Sequence, residues 1–304
     1  MSAAPPPAPP RTWVLPFLLL AALWGSSFLF MRLGASAFGP LATAGLRVGI
    51  AALALAPVLA MRRHRDALRG RWARVVVLGT FNSALPFALY AYAVVHVPTG
   101  IAAILNATVP LFGALIAWAW LQERPGPARC AGLAIGFAGV ALLVGRGLPT
   151  DVGVAVLPVL ACLGAACSYG IGASYARRML PGLPPTASAA GSMVGATLVL
   201  ALPTAVAWPA RIPGLGAWAA VVALAVPCTA LAYLLFFRII ARAGASRALT
   251  VTYLIPVFAL GYGVPLLGEP LTGWMLGCGA VVLVGTLLAS GMAGDAWSRR
   301  RTVR

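Results

Sequence analysis

Residues 106–123 read NATVPLFGALIAWAWLQE, and residues 252–269 read TYLIPVFALGYGVPLLGE. Laid over one another at a constant offset of 146 residues, without a gap, they put Asn106 on Thr252, Pro110 on Pro256, Phe112 on Phe258, Leu121 on Leu267 and Glu123 on Glu269. The register runs outward in both directions. Ser83-Ala84-Leu85 falls on Thr229-Ala230-Leu231, Phe87 on Tyr233, Leu89 on Leu235, Tyr90 on Phe236 and Ala102 on Ala248, and beyond the glutamates Gly139 falls on Gly285 and Gly145 on Gly291. At an offset of 145, Trp24-Gly25 falls on Tyr169-Gly170 and Arg32 on Arg177. Apolar segments resemble one another by chance, but glutamates are rare here, and a proline pair and a glutamate pair landing in one gapless register indicate an internal duplication.

The duplicated unit is built for lipid. Of the 304 residues 61% are hydrophobic and 9% charged, whereas a soluble domain carries about 25% charged residues. Crossing a bilayer core of about 30 Å takes about 20 apolar residues per helix. Ten runs qualify, near 13–31, 38–61, 75–95, 98–121, 128–145, 152–176, 186–207, 215–238, 246–267 and 271–292. The expected organisation is a disordered cytoplasmic tail (1–12), a first five-helix repeat (13–147), a second (152–292) and a basic cytoplasmic tail (293–304). The longest connection, 62–74, is arginine-rich without apolar periodicity, so it reads as a loop with His64 solvated, and no soluble domain is inserted. Ala35-Ser36-Ala37 imitates a signal-peptidase site, but the apolar stretch from Trp13 to Met31 exceeds the roughly 7 to 15 residues usual for a cleaved signal.

All 22 basic residues are arginine, against five acids. In a soluble protein a net charge of +17 would suggest nucleic acid. Here the arginines sit in short gaps between apolar runs, where they read as topology signals, and no nucleic-acid partner is expected. With ten helices both termini share a side, and eighteen arginines fall on that side against three on the other. Because loops that stay in the cytoplasm retain arginine, both termini are expected to be cytoplasmic. The all-arginine, alanine-rich composition suggests a bacterial source and its cytoplasmic membrane. Cys130, Cys162, Cys167, Cys228 and Cys278 lie in apolar segments without a C-x-x-C pair, so they indicate neither a disulfide framework nor a zinc site; no metal or other cofactor is expected.

Five helices per repeat is an odd number, so the second copy enters the membrane from the opposite side. The predicted fold is an all-α integral membrane protein with ten transmembrane helices as two inverted five-helix repeats, an arrangement used by secondary transporters that bind solute near the midplane. Five features then carry a resemblance: Leu23-Trp24-Gly25-Ser26-Ser27 in the first helix, Arg47 in the second, Pro110 and Leu121-Gln122-Glu123-Arg124 in the fourth, and Pro256 and Leu267-Gly268-Glu269 in the ninth. In their order, spacing and duplication the chain resembles the drug/metabolite transporter superfamily, in its EamA-like branch with two tandem repeats. The resemblance implies secondary transport of metabolites, amino acids or drugs, export more often than uptake. The departures are Tyr169 in the place of Trp24 and the lack of any counterpart of Arg47 in the seventh helix.

Candidate solute-binding residues follow from both readings. Trp24 and Ser26 belong to the first-helix motif. Pro110 and Pro256 remove a backbone donor and free the carbonyls of Asn106 and Thr252 halfway through the membrane, either as a solute site or as a plain kink. Arg47 is the only charge well inside an apolar run; it holds an anionic group of a solute, or it bonds helix carbonyls. Tyr90, Tyr169, Tyr233 and Tyr253 line a cavity or pack. Glu123 and Glu269, each ahead of a helix start, read as structural pins more than as proton-coupling groups. Gly132-x-x-x-Gly136 and Gly273-x-x-x-Gly277 let the fifth and tenth helices approach closely, as scaffold or in a homodimer. Too few acids and histidines occur to build an enzyme site, and a channel or inert scaffold remains the alternative outside transport. The expected partners are a small-molecule solute and the lipid bilayer.

Overall fold

The computed structural model describes residues 13–146 and 156–290; the expected tails, 1–12 and 293–304, lie outside the described residues. Among the described residues every regular element is a helix. Eight helices are long and apolar enough to cross a membrane and two further apolar helices are shorter. In chain order they are α1 (Val14–Phe38), the shorter α2 (Pro40–Ala54), α3 (Trp72–Ala93), α4 (Thr99–Leu121), α5 (Pro127–Gly145), α6 (Val156–Met179), α7 (Pro185–Val206), α8 (Leu215–Ala243), α9 (Arg247–Leu267) and the shorter α10 (Gly273–Ala289).

The second apolar run is cut short. Pro57 opens a separate short helix, Ala56–Ala60, because proline is tolerated in a first turn and not in a helix interior. A further helix, Arg62–Leu68, follows where a loop was expected. His64 on it is buried, not solvated: Nδ1 lies 2.6 Å from the Val58 carbonyl and Nε2 3.0 Å from the Thr186 hydroxyl. The imidazole thus ties the α2–α3 connection to the start of α7.

The 146-residue offset recurs as backbone geometry. α3 contains a π-helical turn at Thr80–Ala84 and α8 one at Val226–Leu231. α4 breaks after Asn106 and restarts at Val109; α9 tightens into a 3-10 turn at Thr250–Tyr253 and restarts at Ile255. Both helices end on a left-handed residue, Gln122 (φ 60°) and Gly268 (φ 66°). The next amide then reaches back to the Ala117 carbonyl in one case and the Gly263 carbonyl in the other, at 3.2 Å each. Gln122 is the only non-glycine residue with positive φ among those described, so the register demands this turn even where the sequence lacks the glycine that makes it cheap.

Packing is crosswise. α1 packs chiefly on α8 and α9 from the other half, and α6 on α3 and α4. Gly25 and Gly170, repeat partners, make both crossings close. A Cβ on Gly25 would lie 2.4 Å from the Phe258 Cβ, and one on Gly170 2.8 Å from the Ile116 Cδ1 and 3.0 Å from the Gly113 nitrogen. The tightest pair is α5 with α10, but it does not use the expected second motif. Gly132 meets Gly285 and Ala289, whereas a Cβ on Gly273 or Gly277 would meet no described atom within 4 Å. Gly285 lies three turns further along α10 than Gly273, where the facing stripe runs.

Candidate functional site

The polar centre of the bundle forms where the two π-helical turns meet α2. A π turn widens a helix to i→i+5 bonding and a proline removes a backbone donor, so where the two occur together carbonyls come free for other partners. In α3 the turn precedes Pro86, and the Phe81 carbonyl accepts from the Ser168 hydroxyl of α6 at 2.8 Å. In α8 it contains Pro227, and the Leu224 carbonyl accepts from the Thr229 hydroxyl at 2.8 Å. Each bulge is therefore satisfied by a hydroxyl and turns short polar side chains inward: Asn82 and Ser83 from α3, Cys228 and Thr229 from α8.

Arg47 stands between them, midway along α2 and 5% exposed. Its Nε donates to Thr229 Oγ1 at 2.9 Å, and its guanidinium carbon lies 3.6 Å from the centre of the Phe87 ring. Thr229 has already committed its own proton to Leu224, so only its lone pairs face the arginine. Cation–π contact with a desolvated ring contributes about 2 kcal/mol, less than the cost of holding an arginine in the bilayer without an anion. Tyr169, Tyr233 and Cys228 are the titratable neighbours of this charge. Arg47 has no counterpart in the second half, but it bridges the halves: it rests on Phe87, whose repeat partner is Tyr233, and on Thr229, whose repeat partner is Ser83.

Around this charge lie most of the expected aromatic residues. Tyr169 stacks with Tyr90, ring centres 6.4 Å apart at 29°, and Tyr90 meets Phe28 edge-on at 5.8 Å. The Tyr90 hydroxyl is buried with no hydrogen-bond partner among the described residues. Trp24 meets Phe236 at 5.3 Å, so the repeat-equivalent pairs are again made across the halves. Ser26 Oγ donates to the Leu23 carbonyl at 3.0 Å and lies 3.4 Å from Cys228 Sγ. Tyr233 lies beside Asn82 and Ser83.

The broken helices are placed differently. Val109 and Ile255 begin new helical pieces, so Pro110 and Pro256 lie in first turns, where a missing donor costs little. At the α4 break the Ala107 carbonyl accepts from Thr286 of α10 at 3.0 Å, and the Thr108 hydroxyl returns to Leu105 at 2.6 Å. At the α9 break the Thr252 hydroxyl returns to Leu249 at 2.8 Å, and the Tyr253 hydroxyl donates to the Thr286 carbonyl at 3.4 Å. Asn106 is half-buried at the end of the first α4 piece. Both breaks thus abut one threonine of α10, and Tyr253 faces that helix.

Glu123 and Glu269 find arginines across the repeat. Glu269 Oε1 accepts from Arg32 Nη1 at 3.0 Å, and the same carboxylate accepts from the Thr99 amide (2.9 and 2.8 Å to its two oxygens) and the Thr99 hydroxyl (2.7 Å). It caps α4 from outside the helix, taking amide donors that helix starts leave free. Glu123 pairs with Arg177, the Nη1–Oε2 contact being 3.3 Å. That hydrogen bond holds the Glu123 carboxyl below its ordinary value.

Sequence reasoning missed Phe87 and Thr229 as the partners of Arg47, although the repeat register already contained both. It also missed Thr99, which carries no local signal. The ion pairs were legible in principle, because the register aligned arginine with arginine and glutamate with glutamate.

Known proteins place this geometry. The family model of the EamA-like transporter family matches residues 11–145 and again 156–291. The chain is 28% identical to an uncharacterized inner membrane transporter, YedA, of Escherichia coli (strain K12), over 88% of each chain. It is also 28% identical to a probable terminal-alkyne amino-acid exporter of Streptantibioticus cattleyicolor, over 90% of this chain and 92% of that one. A crystal structure sharing 24% identity covers 93% of this chain and 98% of its own with a TM-score of 0.64, a likeness of fold. The chain belongs to the EamA-like transporter family, as a multi-pass membrane protein with two tandem repeats that acts as a transporter and not an enzyme.

Proposed function

We propose that this protein is a secondary carrier that exports small organic solutes from the bacterial cytoplasm by alternating access. In this reading its ten helices cross the cytoplasmic membrane as two inverted five-helix repeats, with both termini cytoplasmic. The observation that carries the reading is the meeting of two repeat-equivalent π turns around a buried arginine midway along α2. Bound solute near the midplane, between elements contributed by both halves, is what an alternating-access carrier requires. The solute site is built from Trp24, Ser26, Arg47, Tyr90, Tyr169 and Tyr233. The α4 and α9 breaks, with Asn106, Pro110, Thr252, Tyr253 and Pro256, serve as the flexible joints of the two halves, and Glu123 and Glu269 act as structural pins.

Export is favoured over uptake by the exporter among the relatives. The test is flux of a panel of amino acids, metabolites and drugs into liposomes that carry the purified protein. A carrier gives saturable flux and counterflow, in which internal unlabelled solute accelerates entry of labelled solute. Unsaturable, conductance-like flux without counterflow would make the protein a channel.

A further inference from the structure

We infer that Arg47 is an anion subsite that takes the carboxylate of the transported solute; this rests on the carrier reading above. Guanidinium offers five donors in a planar fork matched to the two oxygens of a carboxylate. Here the Nε donor is spent on Thr229, which fixes the plane of the fork. Neither terminal amino group of Arg47 makes a hydrogen bond among the described residues, and no described carboxylate reaches it. Asp66 lies outside the apolar helices, and Glu123 and Glu269 are committed to Arg177 and Arg32.

Three observations separate this from a purely structural arginine. A structural arginine in a bilayer is expected to saturate its donors on helix carbonyls or an acid, and this one leaves its two terminal amino groups without a partner among the described residues. Thr229 turns its proton to Leu224 and offers Arg47 only lone pairs, a polarity that holds a cation in place without neutralising it. Beside the charge, the Tyr169–Tyr90–Phe28 cluster supplies apolar ring surface together with a buried tyrosine hydroxyl that has no partner among the described residues. An anionic head on the fork and an apolar body on the rings is the complementary solute. No described acid lies beside Arg47, so the solute must bring its own carboxylate to pair with the guanidinium, which a zwitterion does and a cation does not. The class is therefore small carboxylates with an apolar body, a zwitterion being admitted and a cation rejected.

Four molecules sharing one carbon skeleton test the class: isocaproate (an anion), leucine (a zwitterion), isocaproamide (neutral) and leucinamide (a cation). Thermal stabilisation of the full-length protein in detergent reports binding, because a ligand of the folded state must raise the melting temperature. The expected result is stabilisation by isocaproate and leucine, with each amide binding at least about tenfold more weakly, since losing one charge-assisted fork contact is worth more than about 1.4 kcal/mol. Arg47→Gln is expected to abolish the difference between acid and amide, and Arg47→Lys, which keeps the charge and loses the fork, to retain part of it.

Equal stabilisation by acid and amide in the unmutated protein overturns the inference, as does no stabilisation by either carboxylate, and neither outcome depends on a variant that folds. Acid selectivity that persists in Arg47→Gln overturns it as well. Counterflow of some other solute in the liposome assay would leave the carrier reading standing in each of those cases; only its absence across the whole panel removes that reading.

Discussion

The ion pairs Arg32–Glu269 and Arg177–Glu123 join the same residue types at repeat-equivalent positions, and each is made across the halves. They lie at opposite ends of α4, since Thr99 opens that helix and Glu123 follows its last turn, about 35 Å apart for 23 residues at 1.5 Å each. Their surroundings differ. Glu269 is 8% exposed and also holds the Thr99 amide and hydroxyl, while the side chains of Arg177 and Glu123 are 60% and 42% exposed. Duplication set which residues pair; burial set what the pairing is worth, because a surface ion pair is screened by water and salt and a buried carboxylate must keep all its donors.

Reversing the charges separates the two ends most sharply. Arg32→Glu with Glu269→Arg would face the Thr99 amide with a guanidinium instead of a carboxylate, so little folded protein should survive detergent extraction and size-exclusion chromatography. Arg177→Glu with Glu123→Arg leaves only Arg129 facing a like charge, across an exposed site where water and salt screen it, and should elute as the unmutated protein does. Equal tolerance of both swaps would show that Thr99 does not bind the carboxylate.

Single changes follow in decreasing order. Glu269→Gln should cost roughly 2–3 kcal/mol, for a charge-assisted network loses its anion, and should lower the melting temperature in detergent while raising the accessibility of a cysteine placed at Val97. Thr99→Val removes one hydroxyl and keeps the backbone donors, so about 1–2 kcal/mol is expected in the same measurement. Glu123→Gln should shift the melting temperature least, and that shift should vanish at high salt.

The pH dependence of Glu123 has a definite sign. Arg177 depresses its folded value, so its contribution is fully present above the ordinary carboxylate value and is lost as pH falls through the depressed one. The Glu123→Gln difference should therefore shrink on acidification below about pH 4 and stay constant above neutrality. A difference that grows in acid would mean that the pair opposes folding.

How far the sequence reached depends on whether a feature is local. The apolar runs were legible because crossing a bilayer requires length and hydropathy, and the helix ends at Gln122 and Gly268 because a duplicated turn keeps its register. The α2 cut at Pro57 needed only closer reading of a proline. His64 was misplaced because its burial depends on Val58 and on Thr186, 122 residues away. The facing glycine Gly285 was passed over for the Gly273 and Gly277 pair because spacing names a stripe without telling which side of the helix meets its neighbour.

By itself, then, the sequence determined an all-helical, lipid-embedded, duplicated chain, with Arg47 inside it and Arg177, Glu123 and Glu269 at helix ends; Arg32, expected just past the first apolar run, lies within α1, which continues to Phe38. Hydropathy, proline position and charge count are properties of the chain read one segment at a time. Only the tertiary structure decided that α1 and α6 cross to the opposite half, that Arg47 rests on Phe87 and Thr229 with its terminal amino groups unpartnered among the described residues, and that only one of two equivalent ion pairs has a buried carboxylate. Those outcomes depend on distances between residues far apart in the chain. Packing and solvent exclusion set such distances, and a repeat register leaves them open.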